Sequence, residues 1–171
     1  TGAPIGPLRL WRMDTWPAAK LTKNDGTVNG DSRCGPRVSV VRTASAGKEF
    51  SDRLARIYHE LSGVLARLKP EEAAIEQVFT AKNAASALKL GQARGVAVAA
   101  CAAHGLSISD YEPTLVKKSL VGTGRAEKEQ VAFMVQRLLN VKNANWALDT
   151  SDALAVAVCH LTVRRFAALT G

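Results

Sequence analysis

Three carboxylates in this chain stand where a carboxylate needs a physical reason. Glu76 interrupts the apolar run Ala73-Ala-Ile-Glu-Gln-Val-Phe79. A charge beside a buried strand is costly unless it is paired, protonated or bound to a metal. The alternative is a glutamate on the solvated face of an edge strand. Asp149 and Asp152, in Leu148-Asp-Thr-Ser-Asp-Ala-Leu154, are three residues apart where a helix should start, so both can face one direction. The helix dipole there favours their ionised forms. Two convergent carboxylates joined by a third suit Mg²⁺ or Mn²⁺, which prefer oxygen ligands. Against this, acids are common in a first helical turn simply as caps. On these residues alone both alternatives stand.

The charge balance favours a polyanionic partner without identifying it, since many soluble proteins are basic for solubility alone. Lys plus Arg number 23 against 15 Asp plus Glu, a formal net charge of +8. Residues 114–142 concentrate the excess, with Lys117, Lys118, Arg125, Lys128, Arg137 and Lys142 against only Glu127 and Glu129. A local cluster of this kind favours phosphate more than overall charge does. The Gly122-x-Gly124 loop inside it is small enough to approach phosphate, though a single such pair is a weak signal. His59, His104 and His160 form no ligand pattern; His160, eight residues after Asp152, reads as structural. Cys34, Cys101 and Cys159 make no CxxC pair, which argues against a disulfide framework or a zinc knuckle and for a reducing, cytoplasmic setting. No signal peptide is expected, and no apolar run is expected to reach membrane-spanning length or to imply a membrane partner.

The elements that must position these groups follow from periodicity. At 171 residues, 47% hydrophobic and 5% aromatic, the chain suits one compact domain with an aliphatic core. The first forty-odd residues are rich in Gly, Pro, Asn and Asp, with short strands expected only at 8–13 and 37–41. Phe50, Leu54, Ile57, Tyr58, Leu61, Val64, Leu65 and Leu68 recur at helical steps and predict a helix over 51–68, with Ser51 as its N-cap and Pro70 beyond its end. A strand is expected at 73–79, then a helix over 83–104 with the stripe Ala84, Leu88, Gly91, Gly95, Val98 and Ala102, stopped by Gly105. A strand at 106–111, a short helix at 114–120 opened by Pro113, a helix at 126–139 with Val131, Met134, Val135, Leu138 and Leu139 inward, and a last helix from 149 or 150 to about 168 complete the reading. Strands alternating with helices give an α/β class with a mixed central sheet flanked by helices.

Four blocks then fall into register with a known family. Ile75-Glu-Gln-Val-Phe79, the stretch 81–95, Val116-Lys-Lys-Ser-Leu-Val-Gly-Thr-Gly-Arg-Ala-Glu-Lys-Glu-Gln-Val131 and Asp149-Thr-Ser-Asp-Ala-Leu-Ala155 closely resemble the RuvC Holliday-junction resolvases in order and spacing, strongly from about 73 to 160. The resemblance implies a single RNase H-like nuclease domain over 1–171, with residues 1–41 atypical. It implies a structure-specific endodeoxyribonuclease that resolves four-way junctions in recombination and repair by metal-dependent phosphodiester hydrolysis, with two Mg²⁺ (or Mn²⁺ in their place) per site. A homodimer and a branch-migration helicase are the implied partners. The family's four acids map onto Glu76, Asp149, Asp152 and a first-strand aspartate. The match for the last is Asp14 in Arg12-Met-Asp-Thr-Trp16, which precedes Arg42-Thr43 by about the family's spacing; the usual flanking glycines and proline are absent, and Asp25 and Asp31 are the other acids of that region. Phe79 resembles the aromatic that stacks on a junction base, with a core phenylalanine as the alternative. Lys117 and Lys128 fall on basic positions near the scissile phosphate, and Lys118 and Arg125 add charge to that surface. Two rival classes share these features: a junction-binding protein with impaired catalysis, and another RNase H-like nuclease that cuts hybrids or simple duplex. The small-residue face of helix 83–104, with Ala and Gly spaced for close helix approach, is the candidate dimer face, with packing on the sheet as the alternative.

Overall fold

The computed structural model describes residues 8–12 and 37–41 by their backbone and residues 49–77, 84–141 and 148–170 with side chains, Asp149 by backbone alone. In chain order the elements are β1 (Leu8–Arg12), β2 (Arg37–Val41), α1 (Phe50–Leu68), β3 (Glu72–Glu76), α2 (Ala84–Ala103), β4 (Ser107–Tyr111), α3 (Pro113–Val121), α4 (Lys128–Leu138) and α5 (Leu148–Thr170). β1 and β2 pair antiparallel, Leu8 opposite Val41 and Arg12 opposite Arg37. β3 and β4 pair parallel, Glu72 opposite Ser107 and Glu76 opposite Tyr111, joined by the α2 crossover that parallel strands require. Among the described residues these are two two-stranded sheets, with β1 in contact with β3, and parallel and antiparallel pairs flanked by helices meet the α/β expectation.

Alternation along β3 separates two cores. Ala73 packs with Leu61 and Leu65 of α1, Ala97, Ala100 and Cys101 of α2, and Leu106. Ala74 faces the opposite core, where Tyr111, Val116, Leu120, Val131, Val135, Leu154, Ala155, Val156 and Cys159 join α3, α4 and α5. Glu72 and Glu76, two positions either side of Ala74, share its side of the pleat. Burial pushes the Cys101 thiol up to about 11 and raises Cys159 as well, leaving both thiols poor nucleophiles at neutral pH.

Several sequence expectations need correction. Glu49, not Ser51, caps α1, and Lys69 ends that helix in the left-handed conformation. The strand expected at 73–79 begins at Glu72 and ends at Glu76; Phe79 lies outside the described residues. α2 buries Ala93, Ala97, Ala100 and Cys101, while Ala84, Leu88, Gly91, Gly95 and Ala102 are exposed. Small apolar residues surround that helix, so its periodicity did not select a face. Tyr58 and Leu138, expected inside, are exposed. Contrary to expectation, one helix segment among the described residues, Thr150–Thr170, is long and apolar enough to cross a membrane by length and composition. Its first half owes that character to the core, since Leu154, Ala155, Val156, Ala157 and Cys159 are all buried there.

Glycine has a structural duty in the 122–124 loop. Gly122 closes α3 at φ 84°, donating its N–H to the Lys118 carbonyl at 2.9 Å. A Cβ on Gly124 would meet the Thr114 carbonyl oxygen at 3.3 Å. Both glycines are thus explained by backbone geometry, without a phosphate. Gly122→Ala should cost about 1–2 kcal/mol, the penalty of a left-handed non-glycine residue, read as a lower urea midpoint with an unchanged slope.

Candidate active site

Four elements converge at the carboxyl end of β3. Glu76 is the last residue of that strand, Asp152 lies in the opening turns of α5, Lys128 begins α4 and Lys117 lies in the middle of α3. A reciprocal capping box fixes the start of α4: the Glu127 side chain accepts from the Gln130 backbone, and the Gln130 side chain accepts from the Glu127 N–H at 2.9 Å. That cap aims Lys128, whose ammonium lies 3.4 Å from an Asp152 carboxylate oxygen. The pair is exposed and contributes little to stability by itself. Its value is in locating a positive charge beside two negative ones.

Glu76 reports the field at this point. Glu76 is exposed to solvent, yet partial desolvation at the strand end raises its pKa above the ordinary value, and the Asp152 charge raises it further, while Lys128 and Lys117 pull it down. The two carboxylates are therefore close enough to repel, and the lysines offset only part of that cost. Two neighbouring hard oxygen donors whose mutual repulsion is only partly offset fit a divalent cation of the Mg²⁺ class. Among the described residues no group of three metal-ligating side chains is found. Asp149 is placed by its backbone one turn before Asp152 on α5, its side chain outside the description, and Asp14 also lies outside the described residues.

Of the other expected residues, Lys118 and Arg125 are exposed on the same α3 and 122–125 surface, and Lys117 is half-buried. Replacing Lys117 or Lys128 by Ala should each lower the slope of log affinity for DNA against log salt by about one unit, measured by titration at several salt concentrations. Unchanged slopes in both variants would place them off the phosphate path.

Two features escaped sequence reasoning. Arg94 of α2 donates to the Glu76 carbonyl at 3.4 Å and pairs with Asp110, tethering the strand end from the opposite face. Glu72 carries a second carboxylate on the α5 side of β3; its two-residue periodicity with Glu76 was the available signal. His160, read as structural, is held by protein partners on both ring nitrogens.

Comparison with known proteins fits this geometry. Residues 32–160 match a family model described as crossover junction endodeoxyribonuclease RuvC. That stretch contains Glu76, Phe79, Asp149, Asp152 and the four basic residues; it excludes Asp14, Asp25 and Asp31. The chain is 68% identical to the crossover junction endodeoxyribonuclease RuvC of Oleidesulfovibrio alaskensis over 119 residues, covering 70% of this chain and 71% of that protein. With the RuvC of Lawsonia intracellularis it shares 62% identity over 122 residues, 71% and 72% of the two chains. Among solved structures, Thermus thermophilus RuvC superposes with a TM-score of 0.69 at 30% identity, covering 88% of this chain and 96% of that one. A T. thermophilus RuvC in complex with Holliday junction substrate gives a TM-score of 0.67 at 32% identity, over 77% and 82%. The mixed α/β arrangement is that of the RNase H-like fold.

Proposed function

The chain belongs to the RuvC family of crossover junction endodeoxyribonucleases, and from that premise we propose that it resolves four-way DNA junctions through the carboxylate centre at the end of β3. The observation that carries this reading is the meeting of Glu76 and Asp152 between two lysines, on a chain that matches the family throughout that region. The family's nucleases are metal-dependent. Here Glu76 and Asp152, with Asp149 and Asp14, would hold two Mg²⁺, with Mn²⁺ as a substitute. When bound, such ions lower the pKa of the attacking water and neutralise charge on the scissile phosphate.

The chain's own residues do the rest. Glu76 and Asp152 supply the negative charge that makes the site selective for a cation. Lys128 pairs with Asp152, and its ammonium would be available to a phosphate oxygen if that carboxylate held a cation. Lys117, Lys118 and Arg125 bind the backbone electrostatically and orient the strand. Phe79 is assigned the base-stacking role at the branch point. Water attacks phosphorus in line and the 3′ oxygen departs, leaving a 5′-phosphate and a 3′-hydroxyl.

A four-way junction needs two opposed incisions, and a two-fold homodimer supplies them. The exposed small-residue face of α2 is the proposed interface: Gly91 and Gly95 open to solvent, with nothing within 4 Å of an added Cβ, beside the exposed Leu88. A branch-migration helicase is the proposed companion. A cytoplasmic setting is proposed with it, in keeping with the free thiols of Cys101 and Cys159. The test is a labelled four-way junction, a linear duplex of the same sequence and an RNA–DNA hybrid, each with Mg²⁺ and with EDTA. Incision of the junction alone, abolished by EDTA, is expected. Binding without incision would favour a catalytically impaired protein, and cutting of duplex or hybrid would favour another RNase H-like nuclease.

A further inference from the structure

The pair Glu76 and Asp152 depends on where α5 sits along β3, and apolar packing alone does not fix that. Ala74 packs against a core cluster to which α5 contributes Leu154, Ala155, Val156 and Cys159. Burial of such surface is non-directional, and small residues present shallow ridges. A slip of one helical turn would move Asp152 by about 5.4 Å and dissolve the pair.

Directional bonds occur two turns along the same helix. His160 Nε2 lies 2.7 Å from a Glu72 carboxylate oxygen, and His160 Nδ1 lies 2.8 Å from the Tyr111 hydroxyl. With a neutral ring, Nε2 donates to the carboxylate and Nδ1 accepts from the phenol. Arg164 pairs with the other Glu72 oxygen at 3.3 Å. Tyr111 is buried, and it stands opposite Glu76 in the β3–β4 register. The dimensions agree: eight residues of helix from Asp152 to His160 span about 12 Å, and four of strand from Glu76 back to Glu72 span about 13 Å. α5 therefore runs against β3 in the opposite sense, anchored at one end so that its other end meets Glu76.

We propose that Glu72, His160 and Tyr111 form a positioning chain that fixes the register of α5 on β3 and thereby holds Asp152 at Glu76. The proposal rests on the reading of Glu76 and Asp152 as the metal-holding pair. It assigns these residues no contact with substrate; they act through the carboxylates, as the outer partners of metal ligands do.

The test compares Glu72→Ala, His160→Ala and Glu72→Gln with the wild-type protein. The readouts are Mn²⁺ affinity by calorimetry, kcat and KM for junction cleavage, and urea unfolding. Glu72→Ala and His160→Ala are expected to lose about 10–100-fold in Mn²⁺ affinity and a similar factor in kcat, with KM for the junction unchanged. Glu72→Gln keeps an acceptor oxygen for Nε2 and should restore most of both. Should either alanine variant unfold, the contrast between the remaining one and Glu72→Gln decides. Variants that unfold more easily yet keep wild-type Mn²⁺ affinity and kcat in the folded fraction would overturn the proposal. If the wild-type protein binds Mn²⁺ but cuts no junction, the functional reading falls, while loss of Mn²⁺ affinity in the alanine variants still supports the register. A wild-type protein that binds no Mn²⁺ overturns both.

Discussion

Asp152→Asn and Glu76→Gln are each expected to lower junction cleavage by on the order of 10³-fold or more while junction binding persists. Each exchange keeps the side chain's shape and removes a charged oxygen donor, which a hard cation requires. Neither removes a phosphate contact. Asp152→Asn also releases Lys128 from its 3.4 Å ion pair, so affinity for DNA should hold or rise. Glu76→Gln carries a second signature. Desolvation and the Asp152 charge raise the Glu76 pKa, so in the metal-free protein its contribution to stability is full below about pH 4.5 and is lost as pH rises through the higher folded value. At neutral pH the wild-type protein therefore carries a penalty that Gln lacks. The metal-free variant should unfold at a higher urea concentration than wild type, and Mg²⁺ should stabilise only the wild-type protein. Measured turnover near the wild-type rate in either variant would remove these residues from the metal centre.

Asp14→Asn is expected to be as inactive as Asp152→Asn. A two-metal centre needs more oxygen ligands than Glu76 and Asp152 provide, and an acid close after the first strand would supply one. The backbone of β1 lies beside β3 and α5, the two elements that carry those carboxylates. Asp14 follows two residues after the end of that strand, within about 7 Å of chain. The local motif argues less: Thr15-Trp16 stands where the family has Pro-Gly, and the family match begins only at residue 32. Binding of junction by Asp14→Asn should equal that of wild type, and single-turnover cleavage should fall with the metal affinity. Normal cleavage by this variant would mean that the centre works without Asp14, and the same assay on Asp25→Asn and Asp31→Asn would show whether another acid of the region serves.

What was legible in the sequence depended on how local the cause was. α1 could be read because Ile57, Leu61, Leu65 and Leu68 repeat at one helical face against a charged opposite face. α2 could be read as a helix but not oriented, because alanines and glycines occur on all sides and only packing against α1 and β4 chooses Ala93, Ala97, Ala100 and Cys101. Glu76 was conspicuous as a charge inside an apolar run, and Asp152 as an acid at a helix start. Their meeting required the tertiary path of α5 along β3. The bond from His160 to Glu72 spans 88 positions of sequence, and no local pattern encodes a pairing of that length. The lysine at the start of α4 is similar: the spacing of Val131 and Val135 marked the helix, but only the packing of α4 on α5 puts Lys128 beside Asp152.

The most direct measurement of the central claim is resolution of a four-way junction labelled on each strand in turn, in Mg²⁺, followed by treatment of the products with DNA ligase. The account predicts paired incisions in two opposite strands, giving nicked duplexes that ligase seals because each nick carries a 5′-phosphate and a 3′-hydroxyl. Products that resist ligation, incisions confined to one strand, or equal cutting of linear duplex would contradict it.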